Sequence, residues 1–294
     1  MDNLSTGRIR NLEASLASGW ATFVFCDVAA DARSLRDVLK NTPAGKIDSI
    51  FHLASPASPE AYGKHPMETL AVNALGTLSL IDIALEHEAT LVYASTSEIY
   101  GDPLVHPQPE SYYGNVDPVG IRACYDEGKR FGEAAVSSAV RSLGLDARIV
   151  RFFNCYGPRM DIGDGRLIPA LMDAALAGRP FPIQGSGKQT RSMTYVDDAV
   201  DLLLLVATTP QTALQPVNIG SDVEKSVIEI AEEVARVAGV ECELEFVDAR
   251  PGDPQRRKPV LDVASTYGWG PSTSLKEGLE RTLHWFTSER HAYA

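Results

Sequence analysis

Four short apolar runs in the first half of the chain each end in a cluster of polar residues. They are ATFVFCDV (Ala21–Val28), IDSIFHLAS (Ile47–Ser55), ATLVYASTSEIYG (Ala89–Gly101) and DARIVRFFN (Asp146–Asn154). Helical patterns run between them through Met67–Glu86 and Cys124–Leu143. Short runs rich in β-branched and aromatic residues fit buried strands, and strands that alternate with helices build a parallel sheet covered on both faces. The expected fold class is therefore α/β, with a doubly wound parallel sheet. Ligands of such sheets sit beyond the carboxyl ends of the strands. Asp27, Ser55, Ser95–Glu98 and Asn154 all fall at such ends.

The texture changes after about Gly157, where Gly and Pro become frequent and short elements replace the regular alternation. Residues 1–157 are read as the sheet domain. Residues 158–294 are read mainly as a smaller substrate-binding lobe, with some segments returning to the sheet. Lys225–Gly239 has the apolar spacing of an amphipathic helix. STSLKEGLERTLHWF predicts another, with Ser274 and Glu277 placed as a capping box.

Composition narrows the function classes. A hydrophobic share of 44% and a charged share of 22% over 294 residues suit a globular protein with a sizeable core. A net charge of −12 argues against a nucleic-acid partner, because no basic stretch is dense enough to neutralise phosphates. Cys26, Cys124, Cys155 and Cys242 form no CxxC pair, so neither a disulfide framework nor a zinc site is expected. His52, His65, His87 and His106 lack ligand-like spacing, and no metal is expected. The run Ala199–Ala207 is too short to span a bilayer, and the N-terminus has no signal-peptide pattern. The expectation is a reduced, cytoplasmic protein with no membrane partner. GSGKQT (Gly185–Thr190) resembles a phosphate loop, but Gln189 stands where that motif needs Ser or Thr after the lysine.

Two clusters carry chemistry. Tyr125 and Lys129 in CYDEGKRFGE lie four apart, on one face of a helix. A lysine beside a tyrosine stabilises the phenolate, so that the tyrosine accepts a proton from an alcohol below its normal pKa of about 10. Alone, the pair reads as a solvated helix face, because chance matches to this spacing are common. Thr96, Ser97 and Glu98 close a buried strand with hydroxyls for the same alcohol and a carboxyl for acid–base work. Alone, they read as a helix N-cap with an acidic first turn. A strand-end hydroxyl facing a Tyr/Lys helix is more specific than either part.

These stretches, with DNLSTG, FHLASPASPEAY, YYGNVDPVGIRACYDEGKR, RFFNCYGPRM, DGRLIPALMDAAL, QGSGKQTRSMTYVDDAV, NIGS and GDPQRRKP, resemble the extended short-chain dehydrogenases/reductases that modify nucleotide sugars. Within that family they are most similar to the decarboxylases acting on UDP-glucuronate. The resemblance implies a Rossmann-type fold, bound NAD and a UDP-sugar substrate. It places Asp2, Asn3, Thr6 and Gly7 at the adenosine ribose, Asp27 and Val28 at the adenine, and Leu53, Ala54 and Ser55 beneath the cofactor. Thr96, Ser97, Glu98, Tyr125, Lys129 and Arg257 would be catalytic, with Tyr125 and Lys129 also touching NAD. Tyr62, Asn154, Arg159, Arg166, Arg191 and Arg257 would face the UDP-sugar. Arg256-Arg257-Lys258, without the resemblance, reads as a solvated basic loop.

The implied reaction is oxidation at C4, loss of carbon dioxide and reduction back, giving UDP-xylose. A 4-epimerase, a 4,6-dehydratase of dTDP-hexoses and a non-catalytic UDP-sugar-binding remnant are the alternatives. One departure is Val72, where the decarboxylases carry Lys before the Asn. The resemblance also implies a homodimer through a four-helix bundle made by the Met67–Glu86 and Cys124–Leu143 helices. Family members carry a first strand, a G-x-x-G-x-x-G turn and a first helix before the Asp-Asn, whereas this sequence starts at Met1-Asp2-Asn3. The chain is therefore expected to be an incomplete or truncated decarboxylase. Ala21–Val28 would then be a strand separated by two vacant places from Ile47–Ser55.

Overall fold

The structure, a computed structural model, describes residues 1–42, 45–211 and 213–293. The first helices are short: α1 (Glu13–Ala17), then α2 (Ala32–Lys40), which Asp31 starts by accepting the Ser34 N–H. Strand β1 (Ser49–His52) leads into α3 (Pro59–Lys64), where Ser58 caps the end and Pro59 supplies a preset first turn. Next come α4 (Pro66–Ala71), a π-helical turn over Val72–Gly76, and α5 (Thr77–His87). Pro66–His87 is long and apolar enough to cross a membrane, which the sequence reading did not identify. Here it packs against α2, α6 (Ala123–Leu143), β1 and β2 (Thr90–Thr96), as a core helix does.

Strand β3 (Ala147–Phe152) follows α6, and β4 (Asn154–Tyr156) leaves it for a second sheet. Then come α7 (Leu167–Ala177), β5 (Phe181–Gln184), β6 (Thr190–Tyr195) and α8 (Val196–Thr208). Strand β7 (Val217–Ile219) precedes β8 (Glu224–Ser226) and α9 (Val227–Ala238). The chain continues through β9 (Leu244–Val247), β10 (Arg256–Arg257), α10 (Asp262–Ser265) and α11 (Leu275–Tyr293).

The main sheet has the order β1-β2-β3-β7, all parallel. The pleat sends neighbouring residues of one strand to opposite faces. Leu91 and Tyr93 join Ile149 in a core with Leu80, Ile83 and Val136, whereas Val92 and Val150 join Leu202, Val206 and Trp269. Both faces are thus covered, and the fold is a Rossmann-like α/β fold. Strand β6 pairs β4, β10 and β8 in a second sheet, and β5 pairs β9. α7, α9 and α11 enclose a third core with Phe181 and Tyr156.

Helix α6 lies close to the sheet. A Cβ on Gly132 would stand 2.0 Å from the Tyr93 hydroxyl oxygen, so only glycine fits. That hydroxyl donates to the Lys129 carbonyl at 3.3 Å.

Three expectations change. Ala21–Val28 is not a strand; its ladder is a single bridge from Phe25 to Asp2. A strand is held by neighbouring strands, and among the described residues no other strand lies beside this run. The amphipathic helix predicted from Lys225 starts at Val227, because Lys225 and Ser226 pair with β6. Ser226 and Glu229 form a full capping box at its start, while Ser274 accepts the Glu277 N–H at 3.2 Å and the Glu277 carboxylate binds Arg281.

Candidate active site

A cavity of about 420 Å³ opens beyond the carboxyl ends of β2 and β3. Thr96, Ser97 and Glu98 line it from the turn after β2, Tyr125 and Lys129 from α6, Asn154 from β4, Arg191 from β6 and Arg257 from β10. Thr96 ends β2 in extended geometry, and its Oγ1 accepts the Glu98 N–H at 3.2 Å, capping a 3₁₀ turn over Ser97–Tyr100. The Thr96 hydroxyl also faces the Tyr125 phenol and lowers it. The N-cap reading of this cluster is therefore realised, and the hydroxyl that caps the turn is the one that faces the phenol.

Tyr125 and Lys129 are buried on the same side of α6. Burial pushes the Tyr125 phenol up to about 12, against the opposing effect of the Thr96 hydrogen bond. Burial pushes the Lys129 ammonium down to about 7, with Glu133 acting the other way. Lys129 Nζ donates to the Ala94 carbonyl at 2.7 Å and stands 5.8 Å from the centre of the Tyr125 ring. The spacing leads one to expect a lowered phenol, whereas burial raises it here, and burial also pushes down the lysine that would offset it.

The charged groups form a chain of alternating sign. Arg257 meets Glu98 at 2.9 Å and Arg122 meets Glu98 at 2.6 Å. Arg122 also faces Asp253 at 3.6 Å, and Asp253 binds Arg191 at 2.6 Å. Burial pushes the Glu98 carboxyl up, but the Arg257 and Arg122 guanidiniums outweigh it and hold the group below its ordinary range. Burial and the neighbouring Arg257 charge push Arg191 down to about 10. Three guanidiniums against two carboxylates leave one positive charge for an anionic ligand.

A second cavity of about 480 Å³ adjoins the first, with Ser55 and Arg166 lining both. Thr6, Gly7 and Arg159 line only this one. Asp2 Oδ1 accepts the Leu4 N–H at 2.6 Å, and Asn3 Nδ2 donates to Asp27 Oδ2 at 3.2 Å. A Cβ on Gly7 would lie 2.9 Å from both carboxylate oxygens of Asp2, so the loop folds over that carboxylate as only glycine allows. In the first cavity, Ser95 Oγ is buried without a protein partner. The free Ser95 hydroxyl shares the first cavity with Lys129 and suits a ribose hydroxyl, whereas Asp2 lines neither cavity.

Other expected residues lie elsewhere. Arg159 does not join Asn154 and Arg191. Pro158 ends the extended run after β4, and Arg159 turns with φ 68° into the second cavity, exposed. Tyr62 does not line the sugar cavity; it is buried behind it, stacked on Tyr125 with ring centres 5.1 Å apart. Val28 is buried with its carbonyl against Gly76, Leu53 is exposed at the first cavity, and Ala54 is half-buried. Val72, the departure from the family pattern, is buried in the π-helical turn.

Sequence reasoning missed Arg122, Asp253 and Asp126. Arg122 precedes Tyr125 by three, which puts both on one helix face, and this was the available signal. Asp126 is buried with Oδ1 unpartnered, and burial together with the Glu98 charge pushes its carboxyl up to about 7.

Residues 1–220 match the profile of the NAD dependent epimerase/dehydratase family. The chain belongs to that family. Its members are enzymes, and NAD is their cofactor. UDP-glucuronic acid decarboxylase 1 of Xenopus tropicalis is 41% identical over 98% of this chain and 66% of its own length. UDP-glucuronic acid decarboxylase 5 of Arabidopsis thaliana is 45% identical over 80% of this chain and 68% of its own length. The chain thus spans about two thirds of these relatives. Among solved structures, UDP-glucose 4-epimerase of Thermotoga maritima, bound to UDP-glucose, superposes with a TM-score of 0.87 at 26% identity. That match covers 98% of this chain and 90% of the epimerase. The dTDP-glucose 4,6-dehydratase of Streptomyces venezuelae, solved with NAD bound, gives 0.87 at 25% identity, covering 98% and 86%.

Proposed function

We propose that the chain performs NAD-dependent decarboxylation of UDP-glucuronate to UDP-xylose. The observation that carries this reading is the buried Glu98 carboxylate gripped by Arg257 and Arg122, in the same cavity as Thr96, Tyr125 and Lys129. The 41–45% identity to two UDP-glucuronic acid decarboxylases supports it. Bound NAD supplies the acceptor and later the donor of the C4 hydride.

Thr96 holds the sugar 4-hydroxyl, and Tyr125, whose phenolate the positive charge of bound NAD would stabilise together with Lys129, takes its proton as the alcohol becomes a ketone. That ketone is β to the C6 carboxylate, so the carbon–carbon bond breaks and its electrons pass into an enolate as carbon dioxide leaves. Arg257 and Arg191 compensate the negative charge of the substrate. Glu98 is held ionised by its arginines. Its carboxylate therefore orients the proton reaching C5 from water, with Arg257 beside it. Tyr125 returns its proton to the C4 oxygen when the ketone is reduced, and the sum is one proton taken up and one carbon dioxide released.

The UDP-sugar lies along Asn154, Arg166 and Arg191. A second copy of the chain pairs with helices Pro66–His87 and Ala123–Leu143, which expose Met67, Leu75, Leu78 and Phe131. Sedimentation at micromolar concentration checks this, a monomer being the contrary result. For the reaction, the protein is supplied with UDP-glucuronate and NAD. Carbon dioxide and UDP-xylose are the expected products. UDP-galacturonate without carbon dioxide would establish an epimerase, and a 4-keto-6-deoxy product from a dTDP-hexose would establish a dehydratase.

A further inference from the structure

We propose that Arg122 is a positioning residue, which fixes the orientation and charge of Glu98 and braces Tyr125 through Tyr62. The inference deepens the proposed reaction and rests on it. Arg122 stands at the N-cap of α6, where its backbone is tied to the helix that carries Tyr125 and Lys129. It is 7% exposed, so its charge must be matched inside the protein. Three groups surround its guanidinium: Glu98 Oε2 at 2.6 Å, Asp253 at 3.6 Å, and the Tyr62 ring, whose centre is 5.8 Å from Cζ.

Each contact has a consequence. Arg122 and Arg257 both meet Glu98 at Oε2, as close ion pairs from two sides. Opposite charges on two sides of one carboxylate favour its ionised form and resist its turning away from either. The cation over Tyr62 holds that ring, and Tyr62 lies nearly parallel to Tyr125, at 10°. The base and the carboxylate are thus indexed to one side chain. Glu98 is reached by Arg257 from β10, Arg191 from β6, and Arg122, Tyr125 and Asp126 from the start of α6. Tyr62 approaches from α3, and Asp253 acts through Arg122 and Arg191. Of the two arginines in direct contact, Arg122 lies over the ring that packs on the base.

The test titrates Glu98 by carboxyl-carbon magnetic resonance in the full 294-residue chain, with Glu98→Gln assigning the signal. In the wild type the carboxylate stays ionised below the ordinary glutamate range. In Arg122→Met, with the melting temperature measured alongside, its midpoint is expected to rise by about one pH unit or more, the scale of one close opposite charge. Arg122→Lys is expected to recover part of that shift. In turnover of UDP-glucuronate, Arg122→Met lowers kcat by roughly 100-fold, moves the acidic limb of the profile upward and leaves KM within about threefold. An unshifted Glu98 midpoint in a folded Arg122→Met, or a rise in KM alone, would overturn the proposal. Absence of carbon dioxide release by the wild type would sink the decarboxylase reading instead, and the titration would still decide what Arg122 does to Glu98.

Discussion

The two sides of the main sheet are built differently. Around β2 and β3 every strand has a neighbour, Leu91, Val92 and Val150 are fully buried, and the site residues are held by charges on three other elements. Around residues 1–31 the chain is held by the Asp2–Phe25 bridge, short side-chain bonds and the Arg8–Asp161 ion pair. Trp20 is 91% exposed there and Phe25 69%. A sheet's interior order comes from ladders and shared apolar faces, whereas a loop that carries only turns relies on local bonds. The sugar-side chemistry thus sits on a rigid frame and the adenosine-side residues on a pliable one.

The sharpest contrast concerns turnover. Tyr125→Phe is expected to lower kcat by about a thousandfold while leaving UDP affinity intact, since a positioned proton acceptor contributes 10²–10⁴-fold. Asp27→Asn, on the pliable side, should change kcat less than about tenfold. Equal losses in steady-state kinetics would break the comparison.

Stability should divide the same way. Leu91→Ala removes a fully buried side chain and is expected to cost about 2–5 kcal/mol in urea denaturation. Phe25→Ala should stay within about 0.5 kcal/mol, as exposed positions do. A large loss at Phe25 would mean that the N-terminal region is packed in solution.

Ligand affinity follows. Asn154, Arg166 and Arg191 line the sugar cavity together, whereas Asp27 is exposed on the pliable side. Hydrogen bonds to charged groups contribute about 1.5–3 kcal/mol each. Arg191→Met should therefore weaken UDP binding in calorimetry by a factor on the order of ten or more, and Asp27→Asn should leave it unchanged. A loss at Asp27 as large as at Arg191 would show that the pliable side is part of the UDP site.

The smallest effect is a pH dependence from the rigid side. Asp126 is raised from 3.8 to about 7 by burial and by Glu98. Its contribution is present below the unfolded value of 3.8 and lost as pH rises through about 7. Lys129 is lowered from 10.5 to about 7 by burial, so its contribution is present above 10.5 and lost as pH falls toward 7. Asp126→Asn should raise the melting temperature near pH 7 relative to pH 4, and Lys129→Met should flatten the alkaline rise. Variants that melt in parallel with the wild type across pH would show that neither group is buried as placed here.

What the sequence disclosed follows the same divide. Tyr125, Lys129, Thr96 and Glu98 were legible because helix spacing and strand ends are local geometry. Arg122 was quoted in the resemblance without a role, because its partners Glu98 and Asp253 are brought to it only by folding. Ala21–Val28 has the composition of a strand, but strand formation is a property of a pair, and a single run does not reveal its neighbour. Tyr62 was assigned to the sugar when its ring packs on the base, since a tyrosine near a site serves as ligand or as wall and composition does not separate the two.

The contact between Gly132 and Tyr93 gives α6 a mechanical stop. The helix can approach the sheet to one depth, fixed where a hydroxyl meets a residue with no side chain. Tyr125 rides on that helix two turns away, so its reach past the strand ends is gauged by a contact that never meets a ligand. A single methyl at position 132 would act as a shim. It would lift the helix by a fraction of its side-chain length, and a displacement of about 1 Å at the reacting atoms can cost on the order of a hundredfold in rate. The tolerance of the reaction is thus set deep in the core, at a position that a survey of the cavity walls would pass over.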